Sequence, residues 1–398
     1  MNATTQSETG NATNSSTLET NNKSHSYNYD YYNNYTEHSH TDNYSSIFSR
    51  YTWTEFLEVH DQMALCIDRV VTPIWYVIGI TGNLFSAVIW FQRRMRTNNS
   101  SAVYLAALSI SDLAFLLLHP LQELQYAWSV PVLQLPVLCE IYFLFYLFSQ
   151  YLSPTLVLGF TAERYIAVCH PFRKKSLCRT GRAVKVVVAT VITCFLFSSV
   201  QAYFWTYDSQ TRECQVRADV ISHGNPSLWS VWTWTSEMVI FLAVPMTILT
   251  LNLLVIRELH TLSRKERKSS DLSGSGCAAT TAMLLSVSFY VIVTSLPATV
   301  VYVLETTFPL GELTISDAAI RRDPIWKRYF VYLTTRKIVE EFCLSHYACN
   351  FFLFLITGSQ FRQSFVFMFH RPTVVKDTEQ YVEVATTLSP NRNHSSAI

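Results

Sequence analysis

The stretch Cys139–Tyr165, CEIYFLFYLFSQYLSPTLVLGFTAERY, carries no charge between Glu140 and Glu163. As an α-helix rising about 1.5 Å per residue, the run from Cys139 to Arg164 covers about 37 Å, enough to cross a bilayer and reach both interfaces. One end then presents a thiol and the other a carboxylate–guanidinium pair. Tyr142, Tyr146, Gln150 and Ser153 recur at helical spacing and share one face. Lipid cannot satisfy such groups, so this face must meet other helices or a water-filled cavity. The stretch therefore predicts the centre of a helix bundle.

Six further apolar runs supply companions: about Val70 to Phe91, Ala102 to Gln122, Val184 to Tyr203, Leu228 to Ile256, Ala278 to Leu304 and Thr334 to Ile356. Only 15% of the 398 residues are charged, against about 25% in soluble domains. The expected fold is an all-α membrane protein, a seven-transmembrane helix bundle over residues 66–357. A net charge of +1 gives a nucleic-acid partner no support. Nine cysteines show neither Cys-x-x-Cys pairs nor metal spacing, so neither zinc nor a disulfide scaffold is expected. No cleavable signal peptide is evident, and helix one is expected to act as the signal anchor.

Residues 1–65 are rich in Asn, Ser, Thr, Tyr and His and are expected to be a disordered tail. Sequons at Asn2, Asn11, Asn14, Asn22, Asn34 and Asn43 mark it for glycosylation if it is exported. Tyrosines around Asp30 admit sulfation, though low complexity accounts for them as well. Basic residues cluster after helices one (Arg93, Arg94, Arg96), three (Arg173, Lys174, Lys175, Arg179, Arg182, Lys185) and five (Arg257, Arg264, Lys265, Arg267, Lys268). The positive-inside rule places these connections in the cytosol and the sequon-rich tail outside. The connection before helix seven, with Arg321, Arg322, Lys327 and Arg328, dissents and is outvoted. Residues 358–370 read as a short amphipathic helix on the inner leaflet. Residues 371–398 read as a disordered cytoplasmic tail with Ser and Thr sites for kinases.

Glu163-Arg164-Tyr165, followed by Ile166-Ala167-Val168-Cys169-His170-Pro171, resembles the inner end of helix three in rhodopsin-like G-protein-coupled receptors. Cys139 sits where those receptors anchor the second outer loop. The resemblance implies a Cys139–Cys214 disulfide and leaves Cys66 without an evident partner. It implies coupling to a heterotrimeric G protein through Glu163, Arg164 and Tyr165, with Arg164 paired at rest to its neighbouring acid. Arrestin and receptor kinases would follow as partners, at the plasma membrane. It also implies a polar core or sodium site at Asp112, Ser153 and Asn350, with Asn83 on helix one. His346 competes for the Asp112 carboxylate, and a hydrogen-bonded structural Asp is the equal alternative. No other cofactor is expected.

Glu123, Glu237 and Glu340, with Glu341 beside it, fall in the outer halves of their helices, and Glu305 caps helix six. Buried acids favour a cationic ligand. Arg336 and Lys337, one turn before Glu340 and Glu341, offer internal neutralisation instead. Glu237 has no basic neighbour on its own helix and leads, with Glu123 second. Tyr146, Gln150 and Tyr302 complete the expected ligand-binding set. Tyr146 stands where amine receptors carry an aspartate, and Leu344 where opsins carry a lysine, so an amidated peptide bearing Arg or Lys fits better. The chain is similar to invertebrate neuropeptide receptors of the FMRFamide type. It departs from the family at Asn350-Phe351-Phe352-Leu353-Phe354, at Thr294-Ser295-Leu296-Pro297 and at Pro154. These departures raise the alternative of a constitutively active or decoy receptor; a small multi-pass transporter is the remaining alternative. No enzymatic function is expected.

Overall fold

The computed structural model describes residues 46–97, 99–170, 179–221, 227–266 and 275–369. All six tail sequons, the basic residues 173–175, 267 and 268, and the tail from 370 onward lie outside these ranges.

Among the described residues, seven helices are long and apolar enough to cross a membrane. Helix one is Gln62–Phe91, helix two Ser100–Tyr126, helix three Leu138–Cys169, helix four Thr180–Ser198 with a further turn Gln201–Phe204, and helix six Ser275–Leu304. Helix five is Leu228–Met238, a π-helical turn Val239–Ala243, and Val244–Glu266. Helix seven is Pro324–Thr357, followed by the short helix Ser359–Phe369. Helix seven thus starts well before the expected Thr334. Asp323 accepts hydrogen bonds from the backbone N–H of Ile325 and Trp326 at 2.7 and 2.9 Å, and Pro324 occupies the first turn, where its missing N–H costs nothing. Lys327 and Arg328 are therefore helical rather than loop residues.

Helix one packs against two and seven, two against three and four, three against four, five and six, and six against seven. Polar contacts stitch helix one to helix seven. Thr334 Oγ1 donates to Asp61 at 3.1 Å, Lys337 Nζ lies 2.8 Å from Asp68, Thr72 donates to Glu341, and Asn83 Nδ2 donates to the Tyr347 carbonyl at 2.7 Å. Gly79 makes this approach possible: a Cβ there would stand 2.5 Å from Leu116 Cδ1 and 2.9 Å from Ala348 Cα. Without a hydrophobic drive between helices in lipid, small residues and polar bonds of this kind hold the bundle.

Prolines inside helices free carbonyls one turn earlier, and the bundle satisfies two of these from neighbours. Pro154 frees the Gln150 carbonyl, which accepts from Tyr347 Oη at 3.2 Å. Pro245 frees the Phe241 carbonyl in the π turn, which accepts from Thr299 Oγ1 on helix six at 2.7 Å.

One expectation is corrected. Residues 46–65 are not disordered: Ile47–Arg50 and Trp53–His60 are helical and helix one begins at Gln62. Thr52 and Glu55 form a reciprocal capping box, with bonds of 2.8 and 3.3 Å, and those bonds hold the Glu55 carboxyl below its ordinary pKa. The apolar face Phe56–Leu57 packs with Leu65, Trp326 and Tyr329, a signal that the polar composition of the preceding residues obscures. The fold is otherwise the expected all-α seven-helix bundle, with a short hairpin outside the membrane-spanning helices. Strands β1 (Trp205–Asp208) and β2 (Glu213–Val216) pair antiparallel, with Tyr207 opposite Cys214.

Candidate functional site

Cys139, at the start of helix three, is disulfide-bonded to Cys214 on β2, with Cα atoms 5.5 Å apart. The bond draws the hairpin over this end of the bundle, where Trp205 stacks on Phe143 at 3.7 Å between ring centroids. Cys66 is a free, exposed thiol. Arg164 lies at the opposite end of the same helix.

At the Cys139 end lies a cavity of about 310 Å³. Of the expected ligand-binding residues, Glu123, Tyr146, Gln150, Glu237, Tyr302 and Glu340 line it. Glu305 is not among the lining residues. It pairs at 3.1 Å with Arg336, which also holds Glu340 at 2.6 Å. Lys337 bridges Asp68 at 2.8 Å and Glu340 at 3.6 Å. Internal neutralisation thus captures Glu340, whereas Glu341 turns to Thr72 on helix one. Four carboxyl groups, Asp68, Glu123, Glu237 and Glu340, line the cavity beside the two bases Arg336 and Lys337, so acid remains in excess.

Glu237 is not unpartnered: Tyr151 Oη on helix three donates to it at 3.2 Å. Glu123 is the more open acid. Its Oε2 has no hydrogen-bond partner among the described residues, and neither do Gln122 Oε1 and Gln150 Oε1. All three are buried acceptors on cavity-lining residues, a set that suits a ligand rich in donors. His119 also lines the cavity and meets Tyr76 Oη at 2.7 Å. Asp68 lies outside the expected ligand-binding set, because the apolar run of helix one begins only at Val70. The wall formed by Trp53 and Leu57 is likewise hidden in the sequence, at the edge of the polar tail.

One helical turn from the cavity-lining Phe115 and Gln150, Asp112 accepts from Ser153 Oγ at 2.6 Å and from Asn350 Nδ2 at 2.7 Å. Asn83 Oδ1 and Asn350 Oδ1 are buried without hydrogen-bond partners among the described residues. A carboxylate with orphaned amide oxygens is an all-oxygen donor set, which fits a hard cation. His346 does not compete for Asp112: its Nδ1 meets Thr294 Oγ1 at 3.3 Å. At the far end, the first turn of helix two engages both members of the charged pair. Ser100 donates to Glu163, and Arg164 donates to Ser101. The expected resting pair of Arg164 with its neighbouring acid is thus replaced in part by serine contacts. The Tyr165 ring lies edge-on to His170 at 5.5 Å.

Seven spans around a polar helix three, a bridged hairpin at one end and an arginine at the other define a seven-helix membrane receptor fold. The chain belongs to the 7 transmembrane receptor (rhodopsin family), whose sequence model matches residues 82–334. It is accordingly not an enzyme. It is 27% identical to the pyrokinin-1 receptor of Drosophila melanogaster over 49% of its length. It is 30% identical to the growth hormone secretagogue receptor type 1 of Mus musculus over 61%, and 22% identical to the FMRFamide receptor of Drosophila melanogaster over 83%. These matches span 44%, 67% and 59% of the relatives' own lengths.

Proposed function

We propose that this chain is a plasma-membrane receptor that binds an extracellular, cationic, amidated neuropeptide in the cavity at the Cys139 end and activates a heterotrimeric G protein at the Arg164 end. The observation that carries the ligand class is the acid excess in that cavity, together with the unpartnered acceptors Gln122 Oε1, Glu123 Oε2 and Gln150 Oε1. A guanidinium or ammonium group supplies the donors that these oxygens lack, and burial keeps the contact unscreened. The relatives named for pyrokinin and FMRFamide support the peptide class.

In this reading the N-terminal tail is extracellular and glycosylated at some of Asn2, Asn11, Asn14, Asn22, Asn34 and Asn43, and the C-terminal tail is cytoplasmic. Glu163, Arg164 and Tyr165 form the G-protein contact, and arrestin and receptor kinases act on the same face. When bound, a sodium ion at Asp112 would supply positive charge to the polar core, held by Ser153, Asn83 and Asn350. The test is a screen of amidated peptides with and without Arg or Lys on cells expressing the chain, read as G-protein activation. A basic peptide that activates at low concentration supports the reading, and activation only by uncharged or acidic peptides overturns the ligand class.

A further inference from the structure

Part of the cavity wall is made by the chain ahead of helix one. Residues 46–61 cross between two sides of the bundle. On one side, Ile47 N donates to the Leu313 carbonyl at 2.8 Å, Arg50 pairs with Asp317 at 3.1 Å and donates to the Ile315 carbonyl at 2.7 Å, and Tyr51 Oη donates to Asp317 at 2.9 Å. On the other side, Thr54 Oγ1 donates to the Tyr126 carbonyl at the end of helix two, at 3.1 Å. Between these anchors the helix Trp53–His60 is pinned by its capping box and by Phe56, whose ring lies 5.2 Å from Trp326 on the extension of helix seven. Trp53 and Leu57 line the cavity.

We infer that residues 46–61 are a latched strap that forms part of the ligand cavity and controls access to it. Its latch is Asp317, which receives both Arg50 and Tyr51, and its wall residues are Trp53 and Leu57. Both latch groups are partly exposed, so the latch can open without unfolding the bundle: the Arg50 and Asp317 side chains are 30% and 40% accessible. Passage of a peptide into the cavity then requires release at the Asp317 side, with Thr54–Tyr126 as the hinge side. The identity of the cavity as the ligand site rests on the function proposed above; the control of access does not.

Cys343, a thiol lining the cavity, is a native reporter. The full-length receptor on intact cells is treated with a membrane-impermeant, cationic methanethiosulfonate, in a Cys66→Ser background that removes the exposed thiol, with Cys343→Ser as the blank. Asp317→Asn is expected to speed Cys343 modification about tenfold or more, as for a local opening made cheaper, and Trp53→Ala to do likewise by thinning the wall. The milder pair Arg50→Gln and Tyr51→Phe serves if Asp317→Asn does not reach the surface. Hydrogen exchange over residues 53–60 reports whether the strap has been released. Released strap with unchanged Cys343 modification overturns the inference. Because no peptide is used, a failed peptide screen leaves this outcome intact, and an active basic peptide with unaltered labelling sinks the strap alone.

Discussion

Glu123 and Lys337 face one cavity under different constraints. Glu123 has an oxygen without a partner among the described residues, so its carboxylate is available to a ligand. Glu123→Gln should weaken a basic peptide by about 1–3 kcal/mol, the range for a charge-assisted hydrogen bond, read as a rightward shift in the concentration–response curve. Glu237→Gln should cost less, because Tyr151 already occupies that carboxylate. Lys337 is committed to Asp68 and Glu340. Lys337→Met alone leaves buried acid uncompensated and should destabilise the receptor by about 3–5 kcal/mol. Adding Asp68→Asn should recover much of that loss, measured as thermal stability in detergent. Glu123, Glu237 and Glu340 were legible in the sequence because a carboxylate within an apolar run is conspicuous, and so was the one-turn pairing of Glu340 with Arg336. Asp68 and its pairing with Lys337 were not, since the two residues are far apart in the chain and meet only across the helix one–seven interface.

At the scale of elements, the spans were legible from their apolar length, and their ends were not. The Asp323–Pro324 start of helix seven is a local capping signal that hydropathy does not register. The strap was hidden for a related reason: a few apolar residues sit at the edge of a long polar tract. Its packing predicts a pH response. Burial against Phe56 and Phe330 lowers the His60 pKa; Asp317 opposes this, while Arg321 and Arg50 act with burial. A neutral ring is therefore favoured in the packed strap, and its contribution is fully present above about pH 6.5. It is lost as pH falls through the lowered folded-state value. Protection factors over residues 53–60, taken relative to the intrinsic exchange rate at each pH, should fall as pH drops from about 7.5 to about 5.5, and His60→Phe should flatten that dependence.

For the whole molecule, the long axis of helix three separates the two proposed activities. Arg164→Ala should abolish G-protein output while surface expression and peptide binding persist; output that survives would remove the assignment of that end. The Cys139–Cys214 bridge closes a loop with a sequence separation of 75. In the chain-entropy description such a closure contributes about 4 kcal/mol. The cavity end of the molecule is thus held covalently, whereas the arginine end is held by the hydroxyls of Ser100 and Ser101.

Tyr347 joins these levels. Its ring lines the cavity and stacks on Phe115 at 4.1 Å, its hydroxyl reaches the carbonyl that Pro154 leaves free, and its own carbonyl receives Asn83. Asn350, one turn along, holds Asp112. A single aromatic crossbar thus floors the cavity and roofs the polar cluster around Asp112, so whatever presses on it from above is passed to the bonds that hold that carboxyl group.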